Sequence, residues 1–85
     1  MRSFAHVIAD RLGLHARSCV VITHEAAKWA SEVTVSLGDV QADAKRVTPL
    51  MALHARQGDT LVVCCEGPEE AQAALALEAL MRMSI

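Results

Sequence analysis

The residues of this chain that could carry out group-transfer chemistry lie together at positions 13–18, Gly-Leu-His-Ala-Arg-Ser. Gly13 favours a turn, and the pattern after it indicates that a helix begins close to His15. The first backbone N–H groups of a helix lack internal partners, and the helix dipole adds partial positive charge there. A phosphoryl group held on His15 would therefore meet ready-made hydrogen-bond donors.

Arg17 adds a positive charge two residues beyond His15. Its guanidinium group can bind phosphate oxygens through two parallel hydrogen bonds and stabilise the charge that develops during transfer. Imidazole, with a reference pKa of roughly 6.5, is largely neutral near pH 7 and can attack phosphorus without a separate base. The residue types predict His15 as nucleophile, Arg17 as charge stabiliser, and Ala16, Arg17 and Ser18 as phosphate-binding residues. A histidine near a helix start with an arginine beside it is more commonly an ordinary polar surface cluster, and the spacing alone does not decide between the two.

The composition limits the other functions that the chain can have. Its 85 residues predict a single domain over residues 1–85. With one Phe, one Trp and no Tyr, few large side chains can line a deep ligand pocket, and no cofactor is expected. Residues 11–56 hold six basic and four acidic side chains, against one and five in residues 57–85. This imbalance is too weak to predict nucleic-acid binding.

The cysteines predict neither a disulfide framework nor a metal site. There are three, Cys19, Cys64 and Cys65, and reduced thiols in a cytoplasm fit them best. Cys19 lies one helical turn from His15, so a Cys/His nucleophile or metal pair is an alternative, although a core position is favoured. No signal peptide and no run of roughly 20 apolar residues is present, so we expect a cytoplasmic protein without a membrane segment.

The hydrophobic pattern predicts the order β-α-β-β-α-β-α. This order predicts an α+β fold, in which three helices cover one face of a four-stranded antiparallel sheet. Helices are predicted at residues 16–27 and 46–53, followed by a last helix with Pro68 near its first position. The apolar last strand is predicted to be central and largely covered on both faces. The strands are predicted at residues 3–9, 32–37, 40–42 and 60–65, with a hairpin turn at Gly38-Asp39.

Further features accompany the Gly-Leu-His-Ala-Arg sequence at 13–17, namely Ala44-Lys45, Met51, Gly58 and Gly67. With these features the chain resembles, over its whole length, HPr, the histidine-containing phosphocarrier family of the bacterial phosphotransferase system. The resemblance implies an open-faced β-sandwich in which enzyme I, drawing on phosphoenolpyruvate, phosphorylates His15 at its δ nitrogen. The group then passes to an enzyme IIA-type acceptor, which leaves sugar transport, nitrogen-linked regulation and multidomain phosphotransferases open as pathways. It implies a carrier and not a stand-alone enzyme.

Three positions depart from the usual pattern of that family. Ser18 stands where sugar-transport members usually have Pro, and a serine there can bond a free N–H of the first helical turn. Arg46 replaces an often regulatory serine, so control by the serine-specific HPr kinase is not expected. Thr48-Pro49 stiffens the short helix, which bears on the choice of partner.

The two helices that precede the last strand carry more apolar residues than their core-facing sides need. An apolar centre with a basic rim is typical of a transient protein interface. We therefore expect a monomer that binds enzyme I and the acceptor through these helices. The alternative is an HPr-like regulatory module that binds a partner without a productive phosphate relay. The predicted partner-binding residues are Val20, Val21, His24, Arg46, Val47, Leu50, Met51 and Arg56.

Overall fold

Strand-forming and helix-forming segments follow one another as the hydrophobic pattern predicts. The computed structural model describes all 85 residues and confirms the α+β fold with the order β-α-β-β-α-β-α. The strands are β1 (Arg2–Val7), β2 (Glu32–Leu37), β3 (Val40–Asp43) and β4 (Thr60–Glu66), and the helices are α1 (Ala16–Ala26), α2 (Val47–Ala52) and α3 (Glu70–Ser84).

The four strands form one antiparallel sheet in the order β1-β4-β2-β3. The central position of β4 is confirmed. Its inward residues Leu61 and Val63 are fully buried, whereas Val62 on the opposite face is 44% exposed. The prediction that both faces of β4 are largely covered is wrong, because the helices pack on only one side of the sheet. β-Branched residues such as Val62 favour strands whether or not they are buried, so an apolar run does not show that both faces are covered.

The core lies between the covered face of the sheet and the three helices. On α1, Cys19, Ile22 and Ala26 are buried, and on α3 the buried residues include Leu77 and Met81. Each large apolar side chain buried in this way contributes roughly 1.5–3 kcal/mol relative to exposure. Because α1 also contacts α2 and α3, burial of one helical stripe fixes how α1 is oriented, and with it the direction in which its first turn points.

Two element boundaries differ appreciably from the sequence prediction, and the other predicted boundaries differ by at most one residue. β1 ends at Val7, two residues early, because the N–H groups of Ala9 and Asp10 donate to the main-chain oxygen of Ile85, at 2.6 and 2.9 Å, and not to a strand. Pro68 lies before α3 and not in its first turn, because the next residue, Glu69, has a left-handed backbone with φ of 65°. The early end of β1 matters for the site, because the segment between Val7 and α1 is then not part of the strand.

Gly13 allows that segment to approach the residues that follow α2. Its φ is +65°, and a Cβ atom at this position would lie 2.4 Å from the carbonyl oxygen of Ala55 and 2.9 Å from Cα of Arg56. The neighbouring Leu14 N–H donates to the same Ala55 oxygen at 3.0 Å. Only glycine therefore fits here, and the contact holds the start of α1 beside the end of α2.

We expect Gly13→Ala to lower the free energy of unfolding by roughly 3 kcal/mol or more, because left-handed strain adds to a clash between backbone atoms. Urea denaturation measures the loss. Gly38→Ala is the matched control: its φ is +58° but no atom lies within 4 Å of the added Cβ, so strain alone should cost about 1–2 kcal/mol. Equal losses in the two variants would contradict the role assigned to the close approach at Gly13.

Candidate functional site

His15 is the N-cap residue of α1, with φ of −115° and ψ of 175°. Its backbone is held by Ser18: the Ser18 hydroxyl accepts the His15 N–H at 3.0 Å and donates to the His15 carbonyl oxygen at 2.9 Å. The expectation that Ser18 bonds a free N–H at the start of the helix is therefore confirmed. The His15 side chain in turn faces the Ser18 N–H, although this contact falls short of a cap hydrogen bond.

The first turn of α1 is suited to an anion. It contains no acidic side chain, and its leading N–H groups have no acceptors within the helix. Ala16 and Arg17 are exposed, and Arg17 takes part in none of the ion pairs of the structure. Ser18 is only 3% exposed and its hydroxyl is engaged with His15, so it could contribute to phosphate binding only through its backbone N–H.

Asp10 is a site residue that the sequence pattern did not reveal. Its Oδ2 lies 3.4 Å from Nε2 of His15, and its Oδ1 accepts the Leu12 N–H at 2.9 Å. The hydrogen bond from Leu12, together with the nearby imidazole, lowers the pKa of the Asp10 carboxyl, which is therefore charged at neutral pH. Asp is a common residue for such a turn, but nothing in the sequence shows that the turn brings the carboxylate back to a side chain five positions ahead.

Most of the predicted partner-binding residues are exposed on α1, on α2 or directly beside α2. We call the exposed set Arg17, Val20, Arg46, Met51 and Arg56 the docking surface. Val20 and Met51 are 54% and 41% exposed, and the three arginines are exposed and unpaired with any carboxylate. His24 is also exposed, whereas Val21 and Val47 are half-buried. Leu12, which was not predicted, is 74% exposed in the loop before His15.

Leu50 does not belong to this surface. It is fully buried in the hydrophobic core, while the next residue, Met51, is exposed. Successive residues of an α-helix point about 100° apart. When the side chain of Leu50 is buried in the core, that of Met51 therefore points toward solvent. The prediction that Leu50 contacts a partner is wrong, because a short apolar run does not show by itself which of its members faces inward.

The alternative chemistry at Cys19 finds little support in its surroundings. Cys19 is fully buried, and burial raises the pKa of its thiol, which disfavours the reactive thiolate. No three His, Cys, Asp or Glu side chains are grouped so that they could hold a metal ion. None of the helices has the length and apolar character needed to cross a membrane.

We expect Leu50→Ala to lower the free energy of unfolding by about 2–5 kcal/mol, since it removes a buried side chain and leaves a cavity. Met51→Ala, one residue later on the exposed side, should change it by less than about 1 kcal/mol. Chemical denaturation of both variants provides the measurement. Comparable losses would mean that both side chains, or neither, are part of the core.

Comparisons with known proteins agree with this geometry. Residues 3–83 match the family model described as PTS HPr component phosphorylation site. The phosphocarrier protein HPr of Cupriavidus necator is 39% identical over 74 residues, which cover 87% of this chain and 83% of that protein. The solved structure of a mycoplasma histidine-containing phosphocarrier protein has a TM-score of 0.92 and 30% identity over 94% of this chain and 91% of its own. HPr-C-His from Thermoanaerobacter tengcongensis has a TM-score of 0.93 and 28% identity, covering 99% and 94%.

Proposed function

The chain belongs to the HPr phosphocarrier family of the phosphotransferase system, and we propose that it carries the phosphoryl group on His15. The observation that most supports this assignment is the N-cap position of His15, whose imidazole lies beside the first turn of α1. The side chain is 29% exposed, so a docking protein can reach it. We propose enzyme I as the donor and an enzyme IIA-type protein as the acceptor, with this chain acting as a cytoplasmic monomer.

The proposed transfer is a displacement at phosphorus. The Nδ1 lone pair of His15 forms a bond to phosphorus, while the bond from phosphorus to the donor nitrogen breaks and its electron pair remains on the donor. The N–H groups of Ala16 and Arg17 and the Arg17 guanidinium stabilise the charge on the phosphoryl oxygens. In the onward step His15 is the leaving group, and the same donors act on the same oxygens.

The strength of the individual interactions suits a carrier. A helix N-terminus contributes about 0.3–1 kcal/mol to binding a negative charge at an exposed site. A hydrogen bond to a charged group contributes about 1.5–3 kcal/mol. Together these favour the phosphorylated form without trapping it, so the group can still be released to an acceptor.

The docking surface supports a transient protein partner. Val20 and Met51 provide exposed apolar area on two helices that contact each other. Arg17, Arg46 and Arg56 are exposed on α1 or beside α2, and we propose that they form a basic rim to this area. Such a rim attracts an acidic partner and speeds encounter, while a small apolar centre keeps the complex short-lived.

We expect enzyme I and labelled phosphoenolpyruvate to label the wild-type chain and to leave His15→Ala unlabelled, because no other imidazole lies at the first turn of α1. His54→Asn is the control: His54 is exposed with φ of 53°, a conformation that Asn tolerates, so labelling should persist. Gel separation under conditions that preserve phosphohistidine gives the readout. Label retained by His15→Ala would refute the assignment.

Arg17→Ala should slow phosphoryl transfer from enzyme I by roughly tenfold to a hundredfold, since a charged hydrogen-bond donor worth about 1.5–3 kcal/mol is lost. Its exposed, unpaired side chain should leave the free energy of unfolding within about 0.5 kcal/mol. Arg17→Lys, which keeps the charge without the planar fork, should fall between the two rates. Rapid-quench kinetics measure the rates, and a loss of stability in place of a loss of rate would assign Arg17 to the fold.

A further inference from the structure

Asp10 is held more firmly than an ordinary loop residue. Its backbone N–H donates to the main-chain oxygen of Ile85 at 2.9 Å, and its carbonyl oxygen accepts the Gly13 N–H at 2.9 Å. Its Oδ1 accepts the Leu12 N–H, also at 2.9 Å. With main chain and one carboxylate oxygen engaged, the other oxygen, Oδ2, has a defined direction, and that direction is toward His15.

The separation of 3.4 Å between Asp10 Oδ2 and His15 Nε2 is longer than the usual N–H···O range of about 2.7–3.2 Å. Functional hydrogen bonds are often long in a free protein and shorten when the partner is bound. An ionised carboxylate can only accept hydrogen bonds, and a neutral imidazole carries one N–H and one lone pair. The carboxylate therefore favours the tautomer with the proton on Nε2 and the lone pair on Nδ1.

From this geometry we infer that Asp10 is a positioning residue for phosphoryl transfer, which keeps the proton on Nε2 of His15 and so presents the Nδ1 lone pair to phosphorus. The inference rests on the proposed carrier function of His15 and adds a residue to it. As the Nδ1–phosphorus bond forms, the Nε2 proton stays in place and the ring becomes positively charged. The Asp10 carboxylate then stabilises that charge until the bond breaks and the ring leaves as neutral imidazole.

The hydrogen bond from Leu12 makes the carboxylate of Asp10 hard to replace by an amide. In Asp10→Asn, the Leu12 N–H requires the side-chain oxygen, which turns the amide NH2 toward Nε2 of His15. A donor at that place favours a lone pair on Nε2, and the proton then moves to Nδ1. Asp10→Asn should thus place a proton on Nδ1 and block it as the nucleophile. Asp10→Ala should only remove the contribution of Asp10 to the preference for the tautomer protonated on Nε2.

Nitrogen NMR of ring-labelled histidine tests this in the free protein, about two pH units above the imidazole reference pKa of roughly 6.5. We expect the wild-type His15 ring to carry its proton on Nε2, Asp10→Asn to move a substantial fraction to Nδ1, and Asp10→Ala to lie between them. Asp39→Asn, in the exposed β2–β3 turn, removes the same charge and should leave the His15 signals unchanged. Identical His15 signals in Asp10→Asn and Asp39→Asn would overturn the inference.

Transfer rates from enzyme I give the second readout. Asp10→Asn should be slower than Asp39→Asn by roughly tenfold to a hundredfold, with Asp10→Ala less affected. A tautomer that changes while the rate stays equal to that of Asp39→Asn would also overturn the positioning role. If the wild-type chain accepts no phosphoryl group at all, the proposed function fails, while the NMR comparison still decides whether Asp10 sets the tautomer.

Discussion

The leading N–H groups of α1 cannot find acceptors within their own helix, and the surroundings of the helix leave them available to a ligand. No carboxylate lies in the first turn. The Ser18 hydroxyl turns back to the His15 backbone, so it does not occupy the space in front of the helix. The positive end of α1 therefore faces solvent with an imidazole at its edge, and the proposed carrier chemistry depends on that arrangement.

Backbone contacts of the loop that precedes α1 position His15 at the N-terminus of this helix. Gly13 passes within contact distance of the backbone at Ala55 and Arg56, and Ile85 at the end of α3 holds Ala9 and Asp10. The loop is thus tied to the residues that follow α2 and to the residue that follows α3. Because these ties are main-chain hydrogen bonds and a close approach, they tolerate little displacement, and they hold the backbone at His15 without burying its imidazole.

Because the helices cover only one face of the sheet, the residues that stabilise the fold differ from those that form the docking surface. Burial of apolar residues between the helices and the covered face of the sheet supplies the stability. The outward sides of α1 and α2 and the residues that flank α2 then remain free to carry Val20, Met51 and the arginines of the docking surface. Leu50 and Met51 illustrate the division, since neighbouring residues of similar size belong to the core and to the surface respectively.

The sequence by itself determined the element order, the start of α1 next to His15 and the presence of Arg17 two residues after that histidine, because all of these depend on local periodicity and on residue types a few positions apart. Only the tertiary structure decided which side of α2 is buried and which face of β4 is open. It also brought Asp10 to Nε2 of His15. Such facts depend on how distant segments pack and how a loop folds back. The periodicity of the sequence records neither the direction of a single side chain nor the contact between a loop and the residue that it folds back to.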